Sequence, residues 1–202
     1  ETIAAISTAQ GNGGIGIVRI SGTHSLKIAK KICTSSIKPK HINFCNFIDS
    51  SDEILDQGIV LYFPNPHSFT GEDVVEIQGH GGQVVLNELL SLCFVNGARL
   101  AEPGEFTKRA YLNNKIDLAQ AESVIDIINA TSIQAVKSAS QSLTGKFSKK
   151  ISNLLQSIIS IRVYVEACID FPEEEIDFIE KGNVTKKLQG IIAEVDEILK
   201  TS

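Results

Sequence analysis

Three charged side chains invite a chemical explanation: Arg19 in Ile15-Gly16-Ile17-Val18-Arg19-Ile20, Glu76 in Val74-Val75-Glu76-Ile77-Gln78, and Lys115 in Asn113-Asn114-Lys115-Ile116-Asp117. An arginine in so apolar a strand must meet an anion or carbonyl oxygens, because an unpaired buried charge costs several kcal/mol. A structural salt bridge and a bound polar group both answer that need, and both stay open. Glu76 shares a strand face with Gln78, so a carboxylate and a carboxamide are offered side by side for hydrogen bonding. Lys115 is placed between two ordered elements, where a long cation can reach across to the preceding domain. His80, among glycines, is either a structural histidine or a base without an evident nucleophile to serve.

The elements that must position these groups read as follows. Thr2 to Ser7 is a short strand, and after the glycine-rich loop at Gly11 to Gly14 a second strand runs from Ile15 to Ile20. Alternation places Ile15, Ile17 and Arg19 on one face and Gly16, Val18 and Ile20 on the other. Ser21-Gly22-Thr23 is expected to cap a helix through Ile32. Two strands follow, roughly Ile42 to Ile48 and Gln57 to Phe63, around an acidic, serine-rich hairpin loop from Asp49 to Asp56. The Glu76 strand ends near Gln78. His80 and the following glycines are expected to open a helix that closes at Asn96-Gly97. The glycines there suit either close helix–sheet packing or an anion at the helix N-terminus. Gly97 to Glu122 then reads as strand, Pro103-Gly104 turn, a short helix from Thr107 to Leu112, and a stop at Asn113-Asn114. Asp117, with Gln120 three residues on, forms a box-like cap for a further helix.

Beyond Asp117 the pattern is helical throughout. Three amphipathic helices are expected, the first interrupted near Asn129-Ala130-Thr131, the second ended near Phe171-Pro172 and the third capped by Asn183. They can bury a core only against one another or against a fourth. The acidic run Glu173-Glu174-Glu175-Ile176-Asp177 is read as a solvated helix start rather than a metal site. The fold expected is therefore an α+β domain with a mixed sheet over residues 1–117, followed by an all-α segment over 118–202.

Composition narrows the function. Nineteen basic and 24 acidic residues give a net charge of −5, shared evenly between the two parts. Neither half carries the basic excess that grips phosphates, so any RNA has to be held mainly by something else. The glycine loop leads into a strand, whereas nucleotide-binding loops open a helix, and Gly145-Lys146 lacks both the first Walker glycine and the following Ser or Thr. This stretch contains no P-loop. The four cysteines, 33, 45, 93 and 168, lack a C-x-x-C pair. They read as buried thiols of a cytoplasmic protein, with metal or disulfide as the alternative. No apolar run approaches membrane-spanning length, which points away from a membrane. Methionine is absent and the helical pattern still runs at Leu199 to Ser202, so the natural protein is expected to continue.

Four blocks, GGIGIVRISG, FTGEDVVEIQGHGG, GARLAEPGEFTKRAYLNNKIDLAQAE and VEACIDFPEEEID, together resemble the tRNA uridine modification GTPases of the MnmE (TrmE) family. The resemblance runs from about residue 2 to the end. It implies an N-terminal tetrahydrofolate-binding and dimerisation domain like the folate domain of aminomethyltransferases, then the start of a helical domain. It implies a homodimer that works with the flavoprotein MnmG on tRNA, adding an aminomethyl-type group to C5 of the wobble uridine, with folate as the one-carbon donor (5-formyl- or 5,10-methylene-tetrahydrofolate). It assigns folate contacts to Arg19, Glu76 and Lys115, and no catalytic or metal residue to this segment. GTP, Mg2+ and K+ belong to a GTPase domain outside these 202 residues, so GTP hydrolysis is not expected of this stretch. One departure is visible: the family's first loop commonly reads Pro-Pro-Gly-Arg where this chain has Ala9-Gln10-Gly11-Asn12. The rival readings are a stand-alone aminomethyltransferase-like folate enzyme and a dimerisation scaffold without folate.

Overall fold

The computed structural model describes residues 1–170 and 183–201, and the chain divides into two compact units, Glu1–Ala121 and Glu122–Ser202. The first contains β1 (Ile3–Ile6), β2 (Gly13–Ser21), α1 (Ser25–Ile32), β3 (Asn43–Ile48), β4 (Ile54–Phe63), β5 (Val74–Gly81), α2 (Gln83–Val95), β6 (Arg99–Leu100) and α3 (Glu105–Leu112). Its six strands form one sheet in the order β3-β4-β5-β2-β1-β6. The β1–β6 pair is parallel and the other pairs are antiparallel, giving the expected mixed sheet.

One face of this sheet is the core. Val18 and Ile20 of β2, Val60 of β4, Val75 and Ile77 of β5 and Phe47 of β3 are fully buried there with Ile28 and Ile32 of α1 and Leu86 and Leu89 of α2. Each such aliphatic side chain contributes about 1.5–3 kcal/mol by leaving water. Gly16 lets α2 close on the sheet, because a Cβ there would lie 2.5 Å from the Leu86 side chain. The opposite face of β2 and β5 carries Ile15, Ile17, Arg19, Glu76, Gln78 and His80. Period-two alternation thus puts the candidate residues on the face away from the core, with Ile15 68% exposed.

Several expectations need correction. The α1 helix begins at Ser25 behind His24, which makes no side-chain cap bond. Ser21 is not a cap: its hydroxyl is drawn instead to Thr70 and Glu72. The β3–β4 loop is shorter than expected, because β4 already starts at Ile54. The Glu76 strand continues through His80 to Gly81, so His80 is a strand residue and α2 opens only after Gly82. The glycine that was ambiguous is explained by strand approach: a Cβ on Gly81 would sit 2.6 Å from the Gly13 carbonyl oxygen. The short helix α3 starts two residues early, at Glu105, directly after Gly104 at φ 74°. Other signals hold as read. Asn96-Gly97 closes α2 with Gly97 at φ 104°. Asp117 and Gln120 exchange both box bonds, at 2.9 and 3.0 Å.

Four helices follow: α4 (Leu118–Asn129), α5 (Ile133–Leu143), α6 (Lys146–Asp170) and α7 (Val184–Thr201). The interruption expected near Asn129 is a full break, with Ser132 capping α5 by accepting from the Ala135 amide at 3.1 Å. In the second unit α6 packs against α5 and α7. The core expected for these helices is thin: among the described residues only Ser123, Ala139, Val184 and Ile198 are buried in this unit, while Leu155, Ile158, Leu188 and Ile192 are 45–59% exposed. A helix covered along one side leaves the rest of its apolar stripe open. The end of the second helix at Phe171-Pro172 and the acidic run Glu173–Asp177 lie outside the described residues. No described helix is long and apolar enough to cross a membrane.

The cysteines are free thiols; Cys33, Cys45 and Cys93 are buried and Cys168 is partly exposed. Burial pushes the Cys93 thiol up to about 12, and donation to Cys45, reinforced by burial, holds the Cys33 thiol protonated. Since thiolate is the reactive form, Cys168 alone should react rapidly with Ellman's reagent in the native protein, and all the thiols in denaturant. Rapid native release of more than one equivalent would contradict that burial pattern.

Candidate functional site

The two strands that carry Arg19 and Glu76 pair in a register that sets these residues directly opposite each other. Arg19 Nε donates to Glu76 Oε1 at 2.9 Å and Nη2 lies 2.8 Å from the same oxygen, with the side chains 28% and 16% exposed. So they meet as a cross-strand ion pair in a half-open setting, not in a dry interior. Both contacts fall on Oε1, and among the described residues Oε2 has no hydrogen-bond partner. Two aromatic rings flank the guanidinium: Phe69, 5.8 Å from Arg19 Cζ, and Phe106 of α3, 5.6 Å from it. Such rings attract a cation and also offer faces on which a flat heterocycle can stack.

Lys115 does not touch that pair. Its Nζ donates to the Pro66 carbonyl at 2.9 Å, and its stem lies against Gly71. The expected reach back to the α/β domain is therefore made, but to the 64–73 loop that carries Phe69. Lys115 also lines a cavity of about 490 Å3 with Tyr111, Leu112, Asn114, Ile116 and Asp117, which Arg19 and Glu76 do not line.

An ionic network missing from the sequence reading locks Phe69 and Phe106 in place. Glu105, 7% exposed, accepts from Arg99 Nη1 and Nη2 at 2.7 and 2.6 Å, from Arg109 Nη2 at 3.0 Å and from the Glu102 amide at 2.8 Å. Arg109 goes on to Glu72 at 2.9 Å and to the Glu1 carbonyl at 2.8 Å, while Ser21 donates to Glu72 at 2.8 Å. Asn113 completes the clamp by donating to the Thr70 carbonyl at 2.7 Å. The end of β2, the 64–73 loop, α3 and the chain start are thereby tied together. The Glu105–Arg109 spacing of four on a short helix was a legible signal for part of it. The Arg99 and Glu72 contacts depend on tertiary structure.

His80 stands apart from this site, its ring 68% exposed and paired to Asp56. His80 is thus a strand histidine hydrogen-bonded to a carboxylate through Nδ1, at 2.6 Å.

A family profile described as the GTP-binding protein TrmE N-terminus matches residues 2–115, and one described as the MnmE helical domain matches residues 118–202. The chain belongs to the MnmE family. It comprises that family's N-terminal and helical domains. Proteins called tRNA modification GTPase MnmE are similar to it along almost its whole length: 54% identical over 200 residues in Pseudomonas syringae pv. syringae, 56% over 199 in Saccharophagus degradans and 55% over 200 in Marinomonas sp.. These matches cover 98–99% of this chain but 44% of each relative, so the chain spans under half the length of the curated relatives it matches.

Proposed function

We propose that residues 1–117 bind a tetrahydrofolate derivative and self-associate, as the N-terminal part of a tRNA-modifying GTPase. The observation that carries the folate reading is the carboxylate of Glu76, engaged through Oε1 only and paired with an Arg19 guanidinium that two aromatic rings flank. A pterin edge presents adjacent N–H donors, which a carboxylate with a free oxygen accepts, and its flat ring suits stacking on phenylalanine. Glu76 reads the pterin; Arg19 orients that carboxylate and meets cofactor oxygens; Lys115, which lines the 490 Å3 cavity, serves a more distant carboxylate or carbonyl of the same ligand. When bound, 5-formyl- or 5,10-methylene-tetrahydrofolate supplies the one-carbon unit.

In the whole protein this donor serves an aminomethyl-type modification at C5 of a wobble uridine, carried out by the homodimer with the flavoprotein MnmG and tRNA in the cytoplasm. GTP, Mg2+ and K+ act in a GTPase domain of the longer protein. A second reading, a dimerisation scaffold without folate, is favoured by one observation: Arg19 and Glu76 already satisfy each other's charge. Calorimetric titration with 5-formyltetrahydrofolate separates the two. Saturable binding at one site per chain supports the folate reading, whereas no heat from a protein that sediments as a dimer leaves the scaffold.

A further inference from the structure

One side of α3 governs where the two rings beside Arg19 stand. Phe106, Arg109 and Asn113 follow one another at i, i+3 and i+7, the spacing that lines side chains up along a single helix face, with Asn113 at the C-cap. Both polar members of that row reach the 64–73 loop. Arg109 Nη1 donates to the Glu72 carboxylate at 2.9 and 3.2 Å, and Asn113 Nδ2 donates to the Thr70 carbonyl at 2.7 Å. Thr70 directly follows Phe69 in the chain and is fully buried, whereas Phe69 is 41% exposed. From the sheet side, Ser21, which shares its face of β2 with Arg19, lies 2.7 Å from Thr70 Oγ1 and donates to Glu72 Oε2 at 2.8 Å. The strand that carries Arg19 and the helix that carries Phe106 therefore hold the same few residues of the Phe69 loop.

The chemistry of Arg109 suits this task. Its guanidinium, on a side chain 13% exposed, gives Nη1 to Glu72 and gives Nε and Nη2 to Glu105 Oε1 at 3.3 and 3.0 Å, so one planar fork spans two carboxylates. A lysine keeps the charge but concentrates it on one nitrogen, which cannot span both. We infer that Arg109 and Asn113 are positioning residues of the Arg19 site: they fix Phe69 relative to Phe106, and with it the affinity of the site for a flat heterocycle. That heterocycle is the pterin of the folate reading, on which the affinity part rests; the placement of Phe69 does not depend on it.

The Arg19 Nε–H resonance of the 202-residue chain reports the placement without any ligand, because ring currents from Phe69 and Phe106 act on the group they flank. Arg109→Lys and, at an exposed position, Asn113→Ala should each move that resonance and weaken calorimetric binding of 5-formyltetrahydrofolate about two- to tenfold, the worth of one aromatic contact. Phe69→Leu should weaken binding by a similar factor, and Arg109→Lys should then add less than about twofold, since both act through one ring. Fully additive losses, or an Arg19 resonance unmoved by both Arg109→Lys and Asn113→Ala, would overturn the inference. Absence of folate binding by the wild type removes the folate reading, while the resonance still decides the placement.

Discussion

Glu105→Ala is expected to lower the unfolding free energy by about 3 kcal/mol in urea denaturation, at the scale seen when one partner of a buried ion pair is removed. The carboxylate is 7% exposed and is the common acceptor for Arg99, Arg109 and the Glu102 amide, so its loss removes the group on which two guanidinium groups converge and leaves each only its outer ionic partner, Glu1 for Arg99 and Glu72 for Arg109. The hydrogen bond from Arg99 is the main reason its carboxyl sits at about 2 instead of 4.5, with burial opposing and the Glu102 amide and Arg109 adding to the depression. Because the folded value lies below the unfolded one, the stabilisation is complete above about pH 4.5 and disappears as the pH falls through about 2. The size of that pH-dependent part is ~3 kcal/mol, from roughly 1.4 kcal/mol per unit. Glu105→Gln should flatten the acid limb of the stability curve. A Glu105→Ala protein within about 0.5 kcal/mol of wild type, the range of ordinary surface changes, would show that the network does not hold the site together.

Gly58→Ala should be comparably damaging for a reason of shape. A Cβ at this position would lie 2.1 Å from the backbone oxygen of Gln78 and 3.1 Å from the Phe47 ring. The first neighbour is main chain in the paired strand, so β4 and β5 must part where Ile59 meets Gln78. A loss of about 3 kcal/mol is expected, at the upper end of overpacking effects. Gly190→Ala, in α7, meets nothing within 4 Å and should instead stabilise by ~0.5–1 kcal/mol. Equal midpoints for Gly58→Ala and wild type would contradict the described strand register.

What could be read from the sequence was what local chemistry decides. Alternation in Ile15 to Ile20 placed Arg19 on the face away from Val18 and Ile20, and the structure buries those two residues completely. The Asp117–Gln120 box and the Gly97 stop were legible because each involves backbone groups within a few residues. Long-range pairing was not. Arg19 and Glu76 are 57 residues apart, and only the β2–β5 register turns two unexplained charges into one ion pair. Phe69 and Phe106 became site residues only when the 64–73 loop and α3 were drawn together by Glu72, Glu105 and Arg109. His80 was misplaced because a histidine among glycines looks like a turn, whereas these glycines give room to Asp56 and to the Gly13 carbonyl. The helical pattern marked α4 to α7 but not what their apolar stripes touch, since periodicity reports a face and never its partner.

The most direct test of Glu76 as a pterin reader is calorimetry of 5-formyltetrahydrofolate against Glu76→Gln, which keeps the side-chain shape and removes the charge. An affinity loss of tenfold or more is predicted, since a hydrogen bond to a charged group contributes about 1.5–3 kcal/mol. Wild-type affinity in Glu76→Gln would contradict the assignment and leave the Arg19–Glu76 pair as a strut between two strands.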